Sequence, residues 1–190
     1  MSVIKEIMEF NETFVKNKQY RPLAASKYPN KKLAIVSCMD SRLTELLMAA
    51  LDLKNGDAII IKNAGAVISH PFGSVMRSIM VAVYVLGVEE IMVVTHTDCG
   101  MQRVDVRQFF NTMNTRGISP DKMAMVRYLG VDLHAWLSGF EHVEQAAWET
   151  ADVIRNHPFM PKDVSVYSFV MDSKTGELES VLPSESAQID

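Results

Sequence analysis

Only two cysteines, Cys38 and Cys99, occur in the 190 residues of this chain. That is too few for a disulfide framework, and in a reducing compartment cysteines grouped with histidine point to metal binding or catalysis. An excess of one charge is also missing. With 19 Lys+Arg against 23 Asp+Glu, a formal net charge of −4 and a pI near 5.7, the chain carries no basic footprint for nucleic acid or an anionic membrane. Long apolar runs are lacking too: the longest uncharged aliphatic stretch, Ser78 to Val88, falls far short of the roughly 20 residues that span a bilayer. Met1-Ser2-Val3-Ile4-Lys5-Glu6 places charge where a secretory signal needs an apolar segment, so a soluble cytoplasmic protein is expected. Internal repeats and low-complexity tracts are not apparent. What is present, 48% hydrophobic and 22% charged residues, fits one globular domain over residues 1–190 with an N-terminal helical arm over about 1–30.

Hydrophobic periodicity orders the elements. Val3, Ile4, Ile7, Met8, Phe14 and Val15 share a helical face; the helix they form precedes the first strand and packs either on its own domain or across a partner subunit. Lys32 to Cys38, Ala58 to Ile61 and Glu90 to Thr95 read as strands, aliphatic without alternation, as in a parallel sheet covered on both faces. Leu43 to Leu51 and Ser74 to Leu86 read as helices between them, and Met101 to His157 as mainly helical, with a stripe of Val143, Ala147, Thr150, Ala151 and Ile154. Val164 to Val170 and Glu177 to Leu182 flank Ser173-Lys174-Thr175-Gly176, a hairpin turn by composition. The expected fold is α/β, a mostly parallel four- to five-stranded sheet flanked by helices with right-handed crossovers.

Two motifs close two of the strands: Cys38-Met39-Asp40-Ser41-Arg42 and His96-Thr97-Asp98-Cys99-Gly100. In an open α/β sheet ligands collect beyond the carboxyl ends of the strands. If the first and third strands are neighbours, Cys38 meets His96 and Cys99. Thiolate and imidazole ligands select zinc, and three protein ligands with one open position are the pattern of a catalytic site. A closed structural site would need a fourth ligand, for which Asp40 or Asp98 is the nearby candidate. A Cys-His nucleophile pair is the other reading of these residues, although it leaves the second cysteine without a use.

The joint pattern resembles the beta-class carbonic anhydrases, whose signature is C-x-D-x-R followed about sixty residues later by H-x-x-C. The likeness runs from about Lys31 to Gly100, including Asn63-Ala64-Gly65 and Leu86-Gly87-Val88, and resumes at Asp172 to Leu178. The resemblance implies one Zn2+ per chain on Cys38, His96 and Cys99, and reversible hydration of carbon dioxide to bicarbonate and a proton, with zinc-bound hydroxide as nucleophile. It assigns Asp40 and Arg42 as the dyad that orients the hydroxide, although in some members the aspartate itself takes the fourth zinc position. It also implies a homodimer or a dimer of dimers, with the N-terminal helix in the interface. Hydrolysis of carbon disulfide or carbonyl sulfide on the same site is the alternative activity, and a non-catalytic zinc-binding regulatory protein the alternative class. H-T-D-C-G-M, with Pro29 or Asn30 and Val81 where plant-type members have glutamine and tyrosine, resembles the short prokaryotic branch. Lys62 stands where many relatives carry the arginine of a regulatory bicarbonate site.

A linear apolar substrate requires a narrow, mostly hydrophobic pocket. Ala64, Gly65, Ala66 and Val67 are the candidates for one wall, Phe72 for another, from the same or a second subunit, and Gly100 for a backbone N–H near the reacting oxygen. His70, His134, His142 and His157 are proton-shuttle candidates by residue type alone. Trp136 and Trp148 are expected in the core or a subunit interface.

Overall fold

The computed structural model describes residues 2–182. Five strands form one sheet in the order β2-β1-β3-β4-β5: β1 Leu33–Cys38, β2 Ala58–Asn63, β3 Glu90–His96, β4 Ser165–Met171 and β5 Leu178–Ser180. The first four run parallel and β5 closes the edge antiparallel to β4. The sheet thus has the fifth, edge strand that the composition of residues 164–182 suggests. Its helices are α1 Val3–Lys16, α2 Leu43–Ala50, α3 Ser74–Tyr84, α4 Val106–Thr115, α5 Pro120–Tyr128, α6 Leu133–Leu137 and α7 Val143–Arg155. Boundaries differ from the sequence reading by a residue or two: β1 starts at Leu33, and β3 runs on to include His96.

Each face of the sheet carries its own core. Ala34 and Val36 of β1 and Ile91 and Val93 of β3 pack with Met76, Ile79 and Ala82 of α3 and Ala151 and Ile154 of α7. On the opposite face Ile35, Val94 and Met171 pack with Leu43 and Leu47 of α2. The uninterrupted aliphatic runs of β1 and β3 follow from this sandwiching, since alternate residues face different helices and both faces are dry. The stripe on α7 is buried throughout, Val143, Ala147, Thr150, Ala151 and Ile154 all lying inward.

The chain leaves β1 toward β2 on one side and returns across the sheet to β3 on the other. With right-handed crossovers, α2 and α3 must then cover opposite faces, as the two cores show. The reversal falls between β1 and β3, and their carboxyl ends diverge into the crevice where ligands bind in such sheets.

α1 and β2 leave apolar groups uncovered. α1 is capped by Ser2, whose hydroxyl accepts from the Lys5 amide, yet it buries none of its side chains against the described residues. Val3, Ile4, Ile7, Met8, Phe10 and Val15 all stay exposed, so packing on its own domain is not what the helix does. β2 is an edge strand whose isoleucines are half-buried.

Replacing Ile35 by alanine removes a fully buried side chain from the α2 face and is expected to cost about 2–5 kcal/mol. Urea unfolding with an unchanged m-value measures it; a loss below about 1 kcal/mol would contradict the packing of that face.

Candidate metal centre

Cys38 ends β1 and His96 ends β3. The two strands pair from Leu33 opposite Glu90 to Ser37 opposite Val94, and this register carries both motifs to the same end of the crevice. Three residues past His96 the chain delivers Cys99, turning through Asp98 at φ +54°, a left-handed conformation that aspartate tolerates better than most residues. The side-chain donors of Cys38, His96 and Cys99 all lie within 4.8 Å of one another, and all three residues are buried. The two Sγ atoms are 3.8 Å apart.

The imidazole defines the centre. His96 has 0% exposure, and its Nδ1 lies 2.9 Å from the Thr97 carbonyl oxygen. A carbonyl only accepts, so Nδ1 carries the proton and donates, which leaves Nε2 as a bare acceptor. That Nε2 is buried and has no hydrogen-bond partner among the described residues. An orphaned buried acceptor is costly, and beside two cysteine sulfurs it is satisfied by a soft divalent cation. The Nδ1–H to carbonyl bond is the outer-sphere contact that fixes a metal-binding imidazole in its tautomer. The donor set therefore fits zinc.

At 3.8 Å the two sulfurs are close enough for one thiol to donate to the other. Cys38 is held well below the usual thiol range, first by a hydrogen bond from Cys99 and then, against the opposing effect of burial, by His96 and the backbone N–H groups of Asp40 and Gly65. Cys99 is pushed upward as the partner that keeps the proton, with burial adding to the shift and the Met101 N–H opposing it. Burial works against protonation of His96, but its contacts with the Cys38 thiolate outweigh that and raise its pKa. A divalent cation replaces the shared proton and permits both sulfurs to be thiolates.

Arg42 ties the two motifs together. Its Nε and Nη2 donate to Oδ1 and Oδ2 of Asp40 at 3.0 and 2.9 Å, a bidentate fork. Its Nη1 reaches Asp98 Oδ2 at 3.0 Å and its Nη2 also donates to the Asp98 carbonyl at 2.9 Å. Hydrogen bonds from the Arg42 side chain and backbone hold the Asp40 carboxyl down at about 2. Asp40 Oδ2 is 4.0 Å from His96 Nε2, so the carboxylate borders the ligand cluster while both its oxygens face the arginine. Thr97, next to His96, is anchored from the other side of the chain: its N–H donates to the Met171 carbonyl at 3.0 Å, and its hydroxyl accepts from the Ser173 N–H at 3.0 Å.

The other expected site residues divide into those beside the cluster and those away from it. Gly65 and Ala66 are buried behind Cys38, in a turn where Gly65 has φ +78°. Asn63, Ala64 and Val67 line a cavity of about 500 Å³. Its remaining apolar wall includes Met39, Met101, Phe109, Trp136 and Leu137, residues that periodicity assigns to helices and turns without any site signal. Trp136 is 64% exposed and is not core in this chain. Gly100 begins a short 3-10 turn, and a side chain there would meet nothing within 4 Å among the described residues, as expected of an ordinary turn glycine. Phe72 is placed elsewhere within the chain, its ring packing edgewise on His157 and Phe159. His157 is structural: Nε2 donates to the Pro71 carbonyl at 3.0 Å and Nδ1 accepts from the Phe159 N–H at 3.2 Å. Of the four shuttle candidates, His70 reaches the cavity wall.

Comparison with known proteins gives one answer. The family model described as carbonic anhydrase matches residues 33–178. A carbonic-anhydrase homologue of Bacillus subtilis, YtiB, is 45% identical over 182 residues, covering 96% of this chain and 97% of its own length. A carbon disulfide hydrolase of an Acidianus species is 29% identical over 78% of this chain and 76% of its own. Among solved structures, the beta-carbonic anhydrase isoform I of Trichomonas vaginalis superposes with a TM-score of 0.87 at 27% identity, over 96% of this chain and 98% of its own. With the sheet order, the buried Cys-His-Cys cluster and these likenesses in agreement, the chain is an enzyme of the beta-carbonic-anhydrase family.

Proposed function

We propose that this chain catalyses the reversible hydration of carbon dioxide to bicarbonate and a proton, using one zinc ion held by Cys38, His96 and Cys99. The observation that carries the proposal is the unpaired, tautomer-fixed Nε2 of His96 beside the two sulfurs. Bound zinc supplies Lewis acidity that brings the pKa of a water in its open position from 15.7 to about 7. Two thiolates neutralise more of the metal charge than neutral imidazoles do, so the protein's own groups must help orient the nucleophile.

Asp40 would do so by accepting a hydrogen bond from the attacking water or hydroxide, which turns the oxygen lone pair toward the substrate carbon. It accepts only while ionised, and the Arg42 fork keeps it so. The same fork engages both carboxylate oxygens, which favours an open fourth metal position over one occupied by Asp40. Ala64 and Val67 supply an apolar wall against which a neutral linear molecule can rest, with Gly65 and Ala66 buried in the same turn. His70, whose Nδ1 accepts from the Phe72 N–H, is the candidate on the cavity wall for passing the released proton to buffer.

Carbon disulfide, named as the substrate of the Acidianus relative, is the competing molecule for such a site. The higher identity to the carbonic-anhydrase homologue, 45% against 29%, favours carbon dioxide. A regulatory role without catalysis would not need the Asp40 carboxylate held ionised at the edge of the ligand cluster. We further propose a homodimer in which the exposed face of α1 is covered by the second copy.

Stopped-flow hydration on zinc-loaded protein is the direct test. Asp40→Ala is expected to lower kcat by roughly a hundredfold with zinc retained, and Cys99→Ser to lose both zinc and activity. A parent enzyme no faster than these variants, at one zinc per chain, refutes the hydration reading; faster release of sulfide from carbon disulfide than hydration of carbon dioxide replaces it with the alternative.

In Arg42→Ala the Asp40 carboxyl should climb from about 2 toward the ordinary carboxylate range, as followed by NMR titration. The sign is that of a depressed acid: the parent's Asp40–Arg42 stabilisation is full above the unfolded-state pKa and lost as pH falls through about 2. An unmoved titration would show that Arg42 does not hold the carboxylate.

Replacing Ile4 and Phe10 together by lysine should shift the sedimentation coefficient from dimer to monomer. A parent that already sediments as a monomer would refute the proposed dimer.

A further inference from the structure

The backbone beside the two sulfurs is itself held from a distance. Gly65 lies in the buried turn that follows β2, and Met101, two residues past Cys99, packs against the buried cluster that contains Cys38 and Cys99. Both loops are touched by one later segment, Gly139-Phe140, between α6 and α7. Gly139 lies so close to the Met101 carbonyl that an added Cβ would stand 1.6 Å from its oxygen and 2.7 Å from its carbon. Those are backbone atoms and cannot swing aside. The Phe140 N–H donates to that same carbonyl at 3.3 Å. The Phe140 ring covers Gly65, where a Cβ would meet Phe140 Cε1 at 2.9 Å and Met101 Cβ at 3.2 Å, and it packs in the cluster that contains Cys38 and Cys99. One residue further, the Glu141 carbonyl accepts from Gln102 Nε2 at 2.9 Å.

We propose that Gly139 and Phe140 form a positioning strap for the metal centre: they press the Gly65 and Met101 loops together and so fix the backbone that packs beside the cysteine ligands. The strap touches neither substrate nor metal. It acts through backbone placement, as outer-sphere groups do when they orient ligands, and loss of such a contact costs roughly tenfold to a hundredfold in metal affinity. Glycine is required at 139 by close approach alone, and a ring at 140 by the space over Gly65. The proposal rests on Cys38, His96 and Cys99 being the zinc ligands.

The test measures metal binding and needs no substrate. Zinc affinity of the full chain is measured by chelator competition, and the cobalt-substituted protein by its thiolate-to-cobalt charge-transfer and ligand-field absorption. Gly139→Ala and Phe140→Ala are expected to weaken zinc binding by roughly tenfold or more and to shift the cobalt bands, with Phe140→Tyr restoring both. Ile154→Ala, on the opposite face of the sheet, destabilises the fold without moving either readout. Should Gly139→Ala fail to fold, Phe140→Leu, which keeps a branched side chain over Gly65, should fall between parent and Phe140→Ala. Parent-like affinity and spectra in the folded Phe140 variants would overturn the strap alone. A parent that binds no zinc would overturn the metal-centre reading, and the strap's role with it.

Discussion

The parallel register between β1 and β3 is the constraint on which the site depends. Each strand pairs residue for residue from Leu33 and Glu90 onward, so Cys38 and His96 emerge side by side from a region where both faces are packed. A slip of one residue would reverse the facing of every side chain in β1, driving Ile35 and Val36 into each other's cores and turning Cys38 away from Cys99. The two aliphatic cores therefore do more than stabilise the sheet. Their separate demands on alternate residues hold two distant motifs within bonding reach of one cation.

Charge is the second organising theme. Two cysteines and an aspartate converge in a small, largely buried volume, and left to themselves they repel. The molecule answers with a guanidinium that spans Asp40 and Asp98 and an imidazole turned by the Thr97 carbonyl so that its Nε2 faces the cluster. None of these is a large positive charge inside the cluster, which leaves that role to the metal. Arg42 is the link between electrostatics and scaffold: the side chain that keeps Asp40 ionised also binds the Asp98 carbonyl, and so fastens the first motif to the second.

Much of this was legible in the sequence for definite reasons. Cys38, His96 and Cys99 could be placed because buried parallel strands read as aliphatic runs and because ligands gather at their carboxyl ends. The α7 stripe and the hairpin around Ser173 to Gly176 were equally plain, since period and turn composition are local signals. Within the chain the Phe72 ring meets His157 and Phe159, a contact that an aromatic after proline does not announce. Leu137 and Phe140 carried no site signal at all. Their positions follow from how residues 101–142 fold back over the β2 end of the sheet, a long-range event that no short spacing encodes. The outward face of α1 was readable as amphipathic, but only the assembled chain shows that its own sheet leaves it uncovered.

The anchoring of Thr97 on Met171 and Ser173 has a bearing on where the chain can be cut. Residues past β4 look dispensable by position, being remote from both motifs and at the sheet edge. Yet the Ser173 N–H is a donor to the residue beside His96, and the turn that presents it is closed by Asp172, whose carboxylate accepts from the Lys174 and Thr175 N–H groups while its backbone pairs with Glu177. The minimal working protein therefore extends through β5, and a tag or fusion joint belongs after Ser180 and not between the two closing strands.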